Sequence, residues 1–292
     1  MAVLQDVSDG LVAAVAAIGP SVLEVRGRRR PASGVAIAPD RVITAAHVLH
    51  RDDDLAVVDA AGELRPAVLV GRDPATDLAL LSVPGTSLPP VVWADPGSVR
   101  VGALVLPVAR LHGSVRVRLG VVSGVSGAWK TALGAEVDRW IDVDADLPAG
   151  FSGGPLVDAA GRALGIDTRA LTPRGAVLTP AVVARVAERL ATCGPVPPGY
   201  LGVGFYPASA GDEEQLVVVS IEPGGPGERA GIAVGDVLHR FDGIPVDGVR
   251  HLLGLLAARG AGAEVGLQMA RGGEPREVRL SLAARPGRLA CR

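Results

Sequence analysis

Gly34-Val35-Ala36-Ile37-Ala38-Pro39-Asp40-Arg41-Val42-Ile43-Thr44-Ala45-Ala46-His47-Val48 reads as two short β runs around a Pro-Asp turn, the second ending on a histidine. Small residues before His47 let an imidazole lie against close-packed backbone. Taken alone, a histidine at a strand end is more often structural than catalytic. Outward from this stretch the pattern repeats. β-branched runs at 21–25, 34–38, 42–44, 55–58, 66–70 and 78–83 alternate with Gly, Pro and Asp punctuation. A second set follows at 103–108, 115–122, 139–143, 155–157, 163–166 and 176–178. Two groups of short strands, with 84–100 crossing between them, fit two small β-barrels.

Helical spacing flanks this region. Leu4, Val7, Leu11, Val15 and Ile18 predict an amphipathic helix packed on the first domain, stopped by Gly19-Pro20. Pro180, Val182, Val183, Val186 and Leu190 predict a second helix over 180–192. Prolines at 195, 197 and 198 then make a stiff connector. Beyond it, strands are expected at 201–205, 216–221, 237–241, 265–270 and 277–282, with a helix over 246–259. The expected organisation is an N-terminal helical segment at 1–20, a β domain at 21–194, a linker at 195–199, a smaller domain at 200–285 and a tail at 286–292.

Composition agrees with a globular, turn-rich β protein. Hydrophobic residues make up 48% and charged residues 21% of the 292, with 39 glycines and 23 prolines. A net charge of -2 gives no field to recruit nucleic acid, so no nucleic-acid partner is expected. Arg26, Arg28, Arg29 and Arg30 read as a solvated loop. The cysteines, Cys193 and Cys291, form neither a disulfide framework nor a metal spacing. No metal and no cofactor are expected, and no phosphate-cradling motif implies nucleotide energy. Residues 11–18 are apolar but short and follow acidic residues, so no signal peptide and no membrane span are read. As written the chain is expected to be cytoplasmic, or extracytoplasmic or membrane-associated if it is a truncated form.

Three segments carry chemistry together. Gly150-Phe151-Ser152-Gly153-Gly154-Pro155 places a hydroxyl among glycines that permit a sharp turn with converging N–H groups. The N–H groups of Gly150 and Ser152 are the expected oxyanion donors. In Asp73-Pro74-Ala75-Thr76-Asp77-Leu78, Asp77 immediately precedes an apolar strand, where a buried carboxylate needs a partner. His47 supplies one. The order His47, Asp77, Ser152 is that of the chymotrypsin triad, split between the two strand groups. His50, His112, His239 and His251 have no comparable setting.

At these residues the chain resembles the HtrA (DegP-like) family of trypsin-fold serine proteases. Thr44–Val48 is similar to that family's histidine motif, 73–81 to its aspartate motif, 120–124 to the strand before its active-site loop, 144–157 to its nucleophile loop and 161–168 to the strand after it. The last unit resembles a PDZ domain, on Gly199-Tyr200-Leu201-Gly202-Val203 and on 225–238. The resemblance implies a mainly β fold, a chymotrypsin/trypsin-like double β-barrel followed by a PDZ domain. It implies catalysis by His47, Asp77 and Ser152, and a peptide C-terminus held at Tyr200, Leu201, Gly202 and Val203 beside the helix near 246–259. Phe151 and Ala149 depart from the family pattern. Phe151 cannot pair with a new N-terminal amine as the aspartate of secreted trypsins does. By the same resemblance the specificity pocket is expected at Asp146 and Leu147, with aliphatic side chains favoured over basic ones.

The expected function is ATP-independent endoproteolysis of unfolded or damaged proteins. The expected partners are extended polypeptides and peptide C-termini, in a homotrimer. The competing reading is a peptide-binding chaperone or sensor whose protease site is inactive at rest. Activity of wild type against Ser152→Ala separates the two.

Overall fold

The structure is a computed structural model that describes residues 2–27, 30–193, 198–210 and 213–284. Arg28, Arg29 and Cys291, most of the expected linker and the tail beyond 284 lie outside the described residues. The chain divides into two compact units, Met1–Pro195 and Val196–Arg292.

In the first unit, β1 (Val22–Arg26), β2 (Ala32–Ala38), β3 (Arg41–Ala45), β4 (Leu55–Val58), β5 (Leu64–Asp73) and β6 (Leu78–Ser82) close into a barrel. Its strand order is β1-β2-β3-β6-β5-β4, and β4 pairs back onto β1. Alternation sends Leu23, Val42, Val57 and Leu81 inward.

The second strand group comprises β7 (Leu104–Leu111), β8 (Ser114–Val117), β9 (Gly120–Ser126), β10 (Trp129–Lys130), β11 (Glu136–Val137), β12 (Trp140–Asp144), β13 (Pro155–Asp158), β14 (Ala163–Thr168) and β15 (Ala176–Leu178). Its main sheet runs β12-β9-β7-β13-β14-β15, with β8 added on β7. Among the described residues no ladder pairs β15 with β12, whereas β4 pairs with β1 in the first group. The run expected as one strand over 115–122 is two. β8 pairs with Val108–Leu111 of β7, β9 pairs with Leu104 and Val105, and Arg118 N–H bonds Pro107 O at 3.0 Å between them. Val22, Val35, Ile43 and Leu80 from the barrel join Val108, Ile166 and Leu178 from the second sheet in one core. α2 (Pro180–Cys193) covers it with Val182, Val183, Val186 and Leu190.

α1 (Ala2–Ile18) corrects two expectations. Only its C-terminal half packs on the domain: Ala14 and Ile18 are buried and Leu11 and Val15 partly so, while Leu4 is 79% exposed. Periodicity defines a face but not how far the partner surface extends. Ala2–Ser21 is also long and apolar enough to cross a membrane by length and composition, against the reading that no stretch is.

The second unit carries a sheet ordered β17 (Val203–Ala210), β18 (Glu213–Ile221), β19 (Val237–Phe241), β21 (Glu264–Arg271) and β22 (Glu274–Ser281), with β20 (Ile244–Pro245) on β19. β16 (Gly199–Tyr200) pairs with β23 (Ala283–Ala284). Two helices complete it, the short α3 (Pro226–Arg229) and α4 (Gly248–Arg259). Leu252, Leu255 and Leu256 of α4 are buried, as are Leu238, Phe241, Leu267 and Met269 of the sheet.

Candidate active site

Strand register brings His47 and Asp77 together. β3 and β6 are antiparallel neighbours with Ala45 opposite Leu78. The turn after β3 and the residue before β6 therefore lie side by side. Asp77 adopts φ 55°, in the left-handed region that Asp tolerates better than most residues. From there it grips the turn three ways. Its carbonyl accepts from Ala46 N–H at 2.7 Å, Oδ1 from His47 N–H at 2.9 Å, and Oδ2 meets His47 Nδ1 at 2.7 Å. An ionised carboxylate only accepts, so this contact calls for the imidazole tautomer with the proton on Nδ1, which leaves Nε2 as the other ring nitrogen.

Ser152 lies in the loop between β12 and β13 of the second strand group. Two consecutive turns shape its loop. Pro148 O accepts from Phe151 N–H at 3.1 Å with Gly150 at φ 97°, and Phe151 O accepts from Gly154 N–H at 2.8 Å with Gly153 at φ 87°. Glycine in the third position at positive φ is the type II signature. Gly153 is also fixed by space, because a Cβ there would meet Ser33 O at 2.2 Å and Thr44 Oγ1 at 2.6 Å. The nucleophile loop thus packs directly on the barrel strands that lead to His47.

The end of β14 ties the site together. Thr168 donates its hydroxyl to Asp77 Oδ2. The next residue, Arg169, donates its N–H to Ser152 Oγ at 3.3 Å. Adjacent residues thus touch the acid and the hydroxyl. No hydrogen bond joins Ser152 Oγ to His47 among the described residues; Oγ accepts from Arg169 N–H instead. Neither Gly150 N–H nor Ser152 N–H donates to a described residue. Buried Ser33 holds the Gly150 carbonyl, its Oγ donating at 2.8 Å while accepting from Arg110 N–H at 3.2 Å. Phe151 is buried at 4% exposure, so packing occupies the position after Gly150.

Of the two expected pocket residues, Leu147 lines a small cavity between β12, β13, β14 and β15. Asp146 lines an open cleft of about 1040 Å³, shared with Leu147, Arg169 and Arg174. Sequence reasoning missed Thr168, Arg169 and Ser33. Thr168 and Ser33 are buried polar residues in strands, a signal visible only as hydroxyls in apolar runs.

In the second unit Gly202 has φ 68° and its carbonyl accepts from Glu222 N–H at 2.8 Å, while Leu201 O accepts from Gly227 N–H at 2.8 Å. The N–H groups of Leu201 and Gly202 donate to no described residue. Tyr200 pairs with Ala283, and Val203 opens β17, an edge strand of its sheet, with α4 beside it.

The chain matches the family model of the trypsin-like peptidase domain over residues 32–166 and that of the PDZ domain over 199–282. It is 34% identical over 283 residues to a "Probable periplasmic serine endoprotease DegP-like" of Brucella suis biovar 1 (strain 1330), covering 89% of this chain and 54% of the relative. A protein of the same name from Rhizobium meliloti (strain 1021) is 34% identical over 282 residues, covering 89% and 55%. The fold superposes on the serine endoprotease from Yersinia pestis with a TM-score of 0.61 at 26% identity, covering 94% of this chain and 97% of that one. It superposes on the HtrA-type protease AlgW with tripeptide with a TM-score of 0.57 at 26% identity, again over 94% and 97%. The chain belongs to the HtrA (DegP-like) family.

This HtrA-family chain spans about half the length of the curated relatives it matches. Those relatives are named periplasmic, which overturns the cytoplasmic expectation. The error came from reading residues 11–18 alone, when the apolar helix runs through Ala2–Ser21.

Proposed function

We propose that the chain is a serine endopeptidase that cuts extended or unfolded polypeptides, with His47, Asp77 and Ser152 as its catalytic triad. The reading is carried by the Thr168–Arg169 step, which holds Asp77 and Ser152 from adjacent residues while Asp77 orients His47. Substrate binding turns Ser152 Oγ from Arg169 N–H toward His47 Nε2. His47 takes the hydroxyl proton as oxygen attacks the carbonyl carbon, then gives it to the leaving amine. Asp77 stabilises the imidazolium, and the Gly150 and Ser152 N–H groups receive the oxyanion. No step requires nucleotide.

The PDZ unit captures peptide C-termini. The Leu201 and Gly202 N–H groups meet the terminal carboxylate, and the peptide adds to the β17 edge beside α4. Trimer formation is part of this reading, supported by the exposed apolar side chains Val3, Leu4 and Val12 of α1. A fluorophosphonate probe tests the core of the proposal. It should label the wild-type chain and not Ser152→Ala, and only wild type should degrade denatured casein. Equal silence of both proteins rejects the protease reading. Light scattering that gives a monomer mass at every concentration rejects the trimer.

A further inference from the structure

The small cavity beside the nucleophile holds an acid with nothing to bind. Asp167 lines it together with Leu147, Ile141, Val143, Leu156 and Val177. Asp167 is 2% exposed, its Oδ2 is buried without a partner, and its carboxyl makes no hydrogen bond or ion pair with any described residue. Burial pushes this carboxyl well above the usual carboxylate range, which favours the neutral acid. Buried polar groups in native proteins are nearly always paired, so one left open toward a cavity points to a ligand.

The position of the cavity identifies that ligand's source. Asp167 N–H donates to Gly154 O at 2.9 Å and Asp167 O accepts from Gly153 N–H at 2.8 Å. Asp167 is thus bound by its backbone to the two residues after Ser152, and Leu147 belongs to the loop before it. The cavity is therefore built from segments that flank Ser152 in sequence and in hydrogen bonding. The free space is about 20 Å³, roughly what one water needs.

We propose that this cavity receives the side chain on the acyl side of the cut bond, and that Asp167 selects the small hydroxyl side chains of serine and threonine over aliphatic ones of the same shape. The inference rests on the protease reading above. A hydroxyl both gives and takes a hydrogen bond, so it satisfies the acid where a water would. Valine has the shape of threonine but displaces that water and leaves the carboxyl unpaired, the kind of mismatch a polar site rejects strongly. Lysine and arginine are too long for the space. This replaces the aliphatic preference that the family resemblance implied.

The test uses two quenched peptides identical except for threonine or valine at the residue before the cut, with the cut mapped by mass spectrometry. Wild type should favour threonine in kcat/KM by about 10-fold or more. Asp167→Asn, which keeps a polar group, should retain the preference. Asp167→Val should reverse it. Fluorophosphonate labelling accompanies every protein. If wild type is not labelled, the protease reading fails. If wild type is labelled but cuts the valine peptide as fast as the threonine peptide, or cuts only after lysine or arginine, the Asp167 inference fails and the protease reading stands. Should Asp167→Val not fold, the wild-type ratio and Asp167→Asn still decide.

Discussion

Thr168 gives its hydroxyl to Asp77 Oδ2, the same oxygen that His47 Nδ1 meets at 2.7 Å. Removing that donor leaves the imidazole with a less restrained partner. Thr168→Val keeps the shape and loses the bond. Hydrogen bonds to charged groups are worth about 1.5–3 kcal/mol, so kcat should fall about 10- to 100-fold with KM little changed. Thr168→Ser should recover most of the rate. Steady-state kinetics on one peptide decide it, and a loss confined to KM would contradict the role.

Asp77→Asn should be more severe. An amide at this position favours the wrong imidazole tautomer, and the loss in kcat for this kind of change is about 10⁴-fold. Folding should survive, because Asn can still accept from Ala46 and His47 N–H. Circular dichroism alongside the kinetics separates a tautomer effect from collapse of the turn.

Ser33 acts at a distance from the chemistry. Its hydroxyl fixes the Gly150 carbonyl at 2.8 Å, and the peptide unit that follows leads to the Ser152 N–H. Ser33→Ala frees that carbonyl and lets the oxyanion donors drift. Losing one donor costs about 10²–10³ in rate, so a loosened pair should cost roughly 10-fold. Peptide boronates, which mimic the tetrahedral state, should bind more weakly by a similar factor while substrate KM holds. Unchanged boronate affinity would overturn this.

What the sequence made legible follows from local signals. Short apolar runs with Gly and Pro between them located nearly every barrel strand, and β4 and β15 match the expected 55–58 and 176–178 to the residue. His47, Asp77 and Ser152 each carry a local mark, a strand end or a glycine turn. Thr168, Arg169 and Ser33 carry none. Their roles come from pairing across the chain, and inside β14 or β2 a hydroxyl reads as one more strand residue. The β10–β11 hairpin is too short to show a period. Asp167 was hidden for the opposite reason: an acid in a strand looks solvent-facing until the neighbouring strands are known.

Asp167 also gives the first unit a pH signature. Asp142 and Arg174 share its cavity wall, and burial raises its pKa well above the ordinary 3.8. The folded chain therefore keeps a proton that the unfolded chain releases. This contribution to stability is complete below 3.8 and is lost as pH rises toward the folded value. Asp167→Asn should remove that slope. Urea unfolding followed by the tryptophans, Trp93, Trp129 and Trp140, all of which belong to the first unit, measures it between pH 5 and pH 8. Identical slopes in wild type and variant would refute it.

The second unit should respond in the opposite sense. Arg271 holds the Asp236 carboxylate with Nε to Oδ1 at 2.6 Å and Nη2 to Oδ2 at 2.9 Å, and Ala233 N–H adds a third bond at 2.9 Å. The Arg271 hydrogen bond is the main reason the Asp236 pKa lies below its ordinary 3.8. A lowered pKa gives stability that is present above 3.8 and lost as pH falls through the folded value. Asp236 is 1% exposed, so Asp236→Asn leaves Arg271 without its charge partner and should cost about 1.5–3 kcal/mol at neutral pH. The acid-sensitive part of the unfolding curve should vanish with it. Hydrogen exchange over β18, β19 and β21 reads this unit separately. Protection in those strands that is equal in wild type and Asp236→Asn at pH 7 would show that the pair holds nothing together.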